Sequence, residues 1–376
     1  MADNAPDKNN GPSDKNNASE IISIDGNYLE GGGQILRTAL ALSAITQKPF
    51  EIRDIRKGRP KPGLKHQHLY CVEAVKELCS GKVEDAHIGS EKLRFVPGEV
   101  KPKTINIDVE TAGSMTLIMQ SLLPPCLFAG GRTRIHLTGG TDVKWSMPID
   151  YVREIIMPQL NRYADIDLRV EKRGYYPKGG GRAELNIKPK YSFIERGQAN
   201  SIELVEQGQL VHIKGLSNAS SGLQDSKVAE RQSMSAESTL RKLGYPVDIQ
   251  NQYYDTLSPG SGITLWAIFS REKDFDMINH IRLGADALGE RGKKAELVGR
   301  EAAEKLLDEI SLEAPVDEHL ADNLIPYMAL FGQGGRMKVS RISDHTRTNI
   351  YTVEQFLDVK FEIDEDERVV SVGKKQ

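Results

Sequence analysis

The sequence predicts a mixed α/β (α+β) protein: one large domain of repeated strand and helix units, with a smaller α/β domain inserted into it. Three observations carry this. Short apolar strand patterns alternate with longer stretches of helical spacing along the chain. Two successive stretches of about 75 residues share one plan, which marks an internal repeat. A segment of different texture then intervenes before the first rhythm resumes. At 376 residues the chain also exceeds a single small core, since domains run to about 100 to 200 residues.

Residues 1–19 are rich in Asn, Asp, Lys, Pro and Gly and carry nothing large and apolar after Met1, so a disordered tail is expected. From Ile21 the chain reads IISIDG as a strand, LEGGGQ as a glycine turn and ILRTALALSAITQK as a mostly buried helix. PFEIRDIR follows as a strand, then a basic turn, the amphipathic helix HLYCVEAVKELCSG ending at glycine, and further strands. The second unit repeats this. TINIDVE is a strand, AGS a turn, MTLIMQSLLPPCLFAGG an apolar helix, TRIHLTGGTD a strand and SMPIDYVREIIMPQLNRYA a helix, closing at YYPKGGGRAELNIKPK.

The expected large domain covers 20–190 and 289–376, and the inserted domain covers 191–288. The insertion reads QLVHIKGL, KVAERQSMSAESTLRKLG, VDIQNQYY, a loop at LSPGSG and ITLWAIFS, as strand, helix, strand, loop and strand. The helix KAELVGREAAEKLLDEI is expected to resume the first architecture. ADNLIPYMALFG, RMKVSRIS and HTRTNIYTVEQFLDVKFEI then complete a third, interrupted repeat.

Composition narrows the function classes. Hydrophobic residues at 39% and charged residues at 27% are ordinary for a soluble protein, and no run nears the roughly 18 apolar residues of a membrane span. No membrane partner is expected. The first residues lack the apolar stretch of a signal peptide, so a cytoplasmic location is expected. Cys71, Cys79 and Cys126 have no CxxC spacing, so buried thiols are expected rather than disulfides or a zinc site. A net charge of −3 supplies no field toward nucleic acid. A local patch does: RDIRKGRPKPGLK sets Arg53, Arg56, Lys57, Arg59, Lys61 and Lys65 against Asp54 alone, as either a solvated loop or an anion site.

Several motifs suit phosphate chemistry. The turn LEGGGQ joins strand to helix, where backbone N–H groups and the helix dipole attract an anion. It matches neither the Walker pattern nor the dinucleotide fingerprint. Glu30 beside it is either a helix cap or a hard oxygen ligand for Mg²⁺ or Mn²⁺. Arg37, one turn into the helix, forms with Arg56 and Arg59 either a phosphate clamp or surface ion pairs. In SDHTRTN, His345 sits among hydroxyl and amide side chains, as a structural histidine or as a nucleophile toward phosphorus. Arg347 shares its side if the stretch is extended. In HLADNLIPYMAL an imidazole and a carboxylate open a helix, to hold a nucleoside or, through Asp322, to cap it.

Together IDGNYLEGGGQILRTALALS, IRKGRPKPGLKHQHL, TAGSMTLIMQSLLP, LTGGTDV, GYYPKGGGRAE, HLADNLIPYMAL and SDHTRTNIYTVEQFL resemble, in order, the signatures of the RNA 3′-terminal phosphate cyclase family. The resemblance covers all but the tail. It implies three βαβαββ-like repeats similar to those of enolpyruvyl transferases, and an insertion similar to the C-terminal domain of translation initiation factor three. It implies ATP as substrate, a divalent Mg²⁺ or Mn²⁺ ion, RNA 3′-phosphate ends as partner, and release of AMP and pyrophosphate as the RNA end becomes a 2′,3′-cyclic phosphate. His345 matches the adenylated histidine, Glu30 the metal-binding carboxylate, and Arg37, Arg56 and Arg59 the phosphate-binding arginines. Gln120 and the stretch His319, Leu320, Ala321, Asp322 and Asn323 match the ATP-binding positions, while Gln67 and His68 match phosphate-orienting ones.

The chain departs from bacterial members, which have tyrosine at the position of His319 and glutamine at that of Asn323. Trp145, in DVKWSMP, is expected to supply the aromatic surface for adenine instead. Two alternatives share the fold. A cyclase-like ribosome-assembly or RNA-processing factor would lack the histidine, and an enolpyruvyl transferase would not need His345. Pairing of two copies is left open.

Overall fold

A computed structural model describes residues 21–29, 31–271, 280–332 and 334–375. The expected tail, 1–19, and Glu30 lie outside the described residues.

Local patterning yields the first unit: β1 (Ile22–Asp25), α1 (Gly33–Thr46), β2 (Phe50–Arg53), α2 (His66–Cys79), β3 (Lys82–Glu84) and β4 (Leu93–Val96). The second unit has β5 (Thr104–Asp108), α3 (Met115–Cys126), β6 (Thr133–Gly139), α4 (Ile149–Tyr151), α5 (Met157–Leu160), β7 (Ala164–Lys172) and β8 (Gly181–Pro189). Both sheets have one plan. The first strand runs parallel to the second, and the fourth lies antiparallel between the second and third, giving β1-β2-β4-β3 and β5-β6-β8-β7.

A third sheet starts at β9 (Glu203–Leu204) and is then interrupted. The interruption supplies β10 (Gln209–Ser220), α6 (Val228–Leu240), β11 (Val247–Tyr254), β12 (Ser261–Ser270), β13 (Ile281–Leu288) and α7 (Ala295–Ser311), with sheet order β11-β10-β12-β13. The chain returns through α8 (Glu318–Phe331), β14 (Arg336–Lys338), α9 (Asp344–Phe356), β15 (Val359–Asp364) and β16 (Val369–Lys374). β9 pairs parallel with β14, and the order β9-β14-β16-β15 repeats the plan of the first two sheets. The expectation of a third, interrupted repeat therefore holds.

Three local expectations differ. The helix KAELVGREAAEKLLDEI does not resume the first architecture. As α7 it packs on α6 and the inserted sheet, where a Cβ on Gly299 would lie 1.9 Å from the Gln232 carbonyl, so only glycine permits the close crossing. Strand β9, inside the span 191–288, belongs to the third repeat. The helix expected over SMPIDYVREIIMPQLNRYA is broken between α4 and α5 by a wide π turn, Val152–Ile156. Pro158 has no N–H for the carbonyl of Glu154, and Arg282 Nη1 of β13 donates to that carbonyl instead at 2.7 Å.

The insertion is joined to the second repeat by a buried ionic cluster. Arg173, fully buried, contacts Asp142 Oδ2 at 3.1 Å and Asp150 Oδ2 at 2.6 Å. Burial disfavours its charge, but the two carboxylates outweigh this and hold its pKa well above the ordinary value. From the inserted domain, Asn218 accepts from Tyr175 Oη at 2.6 Å and Tyr254 lies under the guanidinium, its ring centroid 5.2 Å away. All three cysteines are buried free thiols, as expected. Among the described residues no helix is long and apolar enough to cross a membrane.

Replacing Arg173 with Ala leaves Asp142 and Asp150 buried without their shared cation, and removing one partner of a buried pair costs about 3 to 5 kcal/mol. Denaturant unfolding of Arg173→Ala is expected to show a loss of that size. A loss below about 1 kcal/mol would mean that water or Arg153, 3.0 Å from Asp150, compensates.

Candidate active site

Helix α1 buries an unbroken run from Ile35 to Ile45 that includes Arg37, Thr38 and Ser43. Buried polar groups demand partners. Arg37 Nε donates to Gln120 Oε1 at 2.8 Å and its Nη2 donates to Gln34 Oε1 at 2.6 Å. Burial lowers the Arg37 pKa from its usual value, yet a guanidinium keeps its charge at neutral pH. Thr38 Oγ1 donates to Asn349 Oδ1 at 2.7 Å.

These bonds continue across the repeats. Gln120, on α3, donates to Asn323 Oδ1 at 3.0 Å, and Asn323 Nδ2 donates to the His319 carbonyl at 2.7 Å. Asn349, on α9, donates to the Asp322 carbonyl at 2.7 Å. The Asp322 carboxylate accepts from Ser343 Oγ at 2.5 Å and Thr346 Oγ1 at 2.7 Å. Burial pushes Asp322 up to about 6, while those hydroxyls and the nearby His345 and His319 draw it back. One polar network thus links α1 of the first repeat, α3 of the second, and α8 and α9 of the third.

The start of α1 is open backbone. A Cβ on Gly33 would lie 2.3 Å from His68 Nε2 and 3.1 Å from Arg37 Nη1, and one on Gly32 would lie 3.7 Å from Arg59 Nη2. The glycines therefore let an imidazole and two guanidinium groups close on the positive end of the helix. His68 is buried, and its Nδ1 accepts the Lys65 N–H at 2.9 Å, so Nε2 carries the proton and faces the turn. Burial, then Arg37, Arg56 and Lys65, hold its pKa down at about 3. His68 is a neutral N–H donor at physiological pH.

Arg56 serves partly as a brace: its Nη1 donates to the carbonyls of Lys61 and Gly63 at 2.8 and 3.0 Å. Burial and then repulsion from Arg59 lower its pKa. Gln67 joins the basic loop to the TAGS turn, donating to the Ser114 carbonyl at 3.0 Å and accepting the Ser114 N–H at 2.6 Å. Two such bonds contribute about 1 kcal/mol each.

At the other end of the network, His319 is exposed at the start of α8 and His345 is half-buried in the first turn of α9. Ser343 caps α9, accepting the Thr346 N–H at 3.0 Å. Some expected roles change here. The cap of α8 is Asp317, which accepts the Leu320 N–H at 2.9 Å, so Asp322 is not the cap. Leu320 and Ala321 are fully buried in the core, His319 is exposed, and Asp322 and Asn323 bond within the polar network. Because His345 and Arg347 sit on a helix, residues two apart face different sides, and Arg347 pairs with Glu365 at 2.5 Å.

Trp145 lies on the loop between β6 and α4. Its side chain is 95% exposed on a loop with φ of 62°, and the aromatic ring against His319 is Tyr151, edge-on at 6.1 Å. Tyr151 is buried and hydrogen-bonded to Asp317, and Met147 Sδ accepts from Asn323 at 3.5 Å. Sequence reasoning missed Met147 and Tyr151, along with Thr38 and Asn349. Each reads as an ordinary helix or loop residue until packing brings it to the network. Among the described residues no three His, Cys, Asp or Glu side chains gather as a metal site.

Comparison with known proteins matches the sequence of the chain to a family. A family model described as RNA 3′-terminal phosphate cyclase covers residues 28–363. Curated proteins named RNA 3′-terminal phosphate cyclase are similar along nearly their whole length. That of Pyrococcus furiosus is 44% identical, covering 91% of this chain and 95% of its own. That of Pyrobaculum neutrophilum is 45% identical over 91% and 95%, and that of Methanosarcina acetivorans is 42% identical over 94% and 99%. With three repeats of one plan and a cation-lined glycine turn joined to His319–Asn323 and the helix of His345, the chain belongs to the RNA 3′-terminal phosphate cyclase family.

Proposed function

We propose that this protein uses ATP to convert an RNA 3′-terminal phosphate into a 2′,3′-cyclic phosphodiester, with His345 as the carrier of adenylate. What carries this reading is the polar network: Asn349, one turn along α9 from His345, bonds Thr38, the neighbour of the phosphate-facing Arg37. The nucleophile and the anion site therefore adjoin the same pair of helices.

An imidazole nitrogen of His345 attacks the α-phosphorus of ATP, the bond to pyrophosphate breaks, and pyrophosphate leaves with the electron pair. An oxygen of the RNA 3′-phosphate then attacks the histidine-bound adenylate, and the P–N bond breaks back to His345. The vicinal 2′-OH attacks the activated RNA phosphorus, loses its proton and expels AMP, an intramolecular closure at high effective concentration.

Arg37, Arg56, Arg59 and the Nε2–H of His68 take up the phosphate charge, while Gln67 orients the loop that presents them. His319, Asp322 and Asn323, with Tyr151 and Met147 beside them, receive the nucleoside, and Gln120 aligns Arg37 with Asn323. A divalent Mg²⁺ or Mn²⁺ ion would be held by Glu30 and the nucleotide phosphates, where it neutralises charge.

Incubation with α-labelled ATP and Mg²⁺ or Mn²⁺ is expected to leave covalent label on the denatured wild-type protein, none on His345→Ala, and none on wild type after chelation. Label on His345→Ala, or on neither protein with metal present, would overturn the adenylate mechanism. Label that survives chelation would remove the metal alone.

His68 gives a second test. Its folded pKa of about 3 lies below the ordinary value of about 6.5, so protonation favours the unfolded chain and the folded state loses up to about 1.4 kcal/mol per pH unit as pH falls through that window. Asp322 and Asp286, both raised to about 6 chiefly by burial, act oppositely between about pH 4 and 6. Thermal melts at pH 7 and 4.5 are expected to show a smaller acid-induced drop for His68→Gln than for wild type. Equal drops would mean that His68 does not stay neutral in the folded protein.

A further inference from the structure

Among the described residues the two most exposed aromatic side chains, Trp145 at 95% and Tyr176 at 78%, have no part in the site described so far. They stand on neighbouring loops. Asp142 bridges Tyr175 in parallel register, so the segments that carry Trp145 and Tyr176 leave the same point of the fold. Contacts tie both loops to neighbouring segments. Lys144 pairs with Glu290 at 3.0 Å, and the Lys178 N–H donates to Ser258 Oγ at 3.1 Å. The Gly179 backbone packs so tightly on Thr111 that a Cβ there would lie 2.2 Å from the Thr111 carbonyl.

That last contact joins the patch to the candidate site. Thr111 opens the TAGS turn whose Ser114 is gripped by Gln67, next to His68 at the anion site. The surface is also cationic. Lys178 is exposed, and Arg291 and Lys294 are exposed on the loop beside Glu290. Of the carboxylates on these and the adjoining segments, Glu290 is already paired with Lys144, while Asp108, Glu110 and Asp255 are exposed.

We infer that this rim is the platform for the single-stranded RNA nucleotides that precede the 3′-phosphate end, with Trp145 and Tyr176 stacking bases and Lys178, Arg291 and Lys294 facing the backbone. Flat aromatic faces set among cations bind single strands without regard to sequence, because every base offers a π face. Trp145 holds a left-handed backbone conformation, unusual for a bulky side chain, which keeps its ring out in solvent. The inference rests on the proposed cyclase reading, since it assumes that an RNA end enters the site.

The test uses the full-length protein and oligoribonucleotides bearing a 3′-phosphate, two and about ten nucleotides long. The chain has two tryptophans and Trp266 is buried, so emission changes report Trp145. The decamer is expected to quench that emission and to bind at least about tenfold more tightly than the dinucleotide. The Tyr176→Ala, Lys178→Ala double variant is expected to lose about tenfold in decamer affinity, with dinucleotide affinity and covalent labelling by α-labelled ATP unchanged.

Decamer affinity equal in variant and wild type, or quenching by ATP alone, would overturn the platform while leaving a labelled, cyclising wild type intact. A variant that changes the sedimentation of the RNA-free protein instead would assign the patch to a second copy of the chain and overturn the RNA assignment. A wild type that neither takes label nor binds either oligonucleotide would overturn the cyclase reading, and the platform with it.

Discussion

Everything at the candidate site depends on one buried polar network. Arg37 and Thr38 are placed in a helix that the fold encloses, so each must find a partner inside the protein. Arg37 finds Gln120 and through it Asn323, while Thr38 finds Asn349 and through it Asp322. Because these partners sit on helices of different repeats, satisfying the donors of one helix sets the relative positions of all three. An apolar interior would tolerate small slips between helices. Directional bonds of 2.7 to 3.0 Å do not.

The repeated plan explains why such a network can form. Each βαβαββ unit buries one face of its sheet under two helices, and the units meet through those helices, so their polar residues converge. The first repeat contributes the glycine turn and the cations, and the second contributes Gln120 and the loop of Met147. The third contributes α8 and α9. No single unit holds a complete set of groups for phosphate transfer.

The inserted domain acts on the site from outside. Its Gly284 N–H donates to Asp317, the cap of α8, and Arg282 satisfies the carbonyl that Pro158 leaves open in the second repeat. The ion cluster at Arg173 includes Asp142, which begins the loop that leads through Trp145 to Met147. The insertion therefore braces both the N-terminal end of α8 and the rim loops.

What the sequence determined by itself was whatever depends on local pattern. Strand and helix periodicity, the glycine turn before Arg37, the cationic loop from Arg53 to Lys65 and the polar setting of His345 are all carried by neighbours in the chain, and the repeated plan follows from them. Tertiary structure decided the matters that depend on contacts distant in sequence. Membership of α7 in the insertion turns on Gly299 meeting Gln232, and Tyr151 rather than Trp145 lies against His319 because α4 abuts α8. The neutral state of His68 likewise requires burial beside Arg37 and Arg56, which are remote from it until the loop and helix fold together. Periodicity records which face of an element is buried. It carries no record of what that face is buried against, and partner choice is set only when distant elements pack.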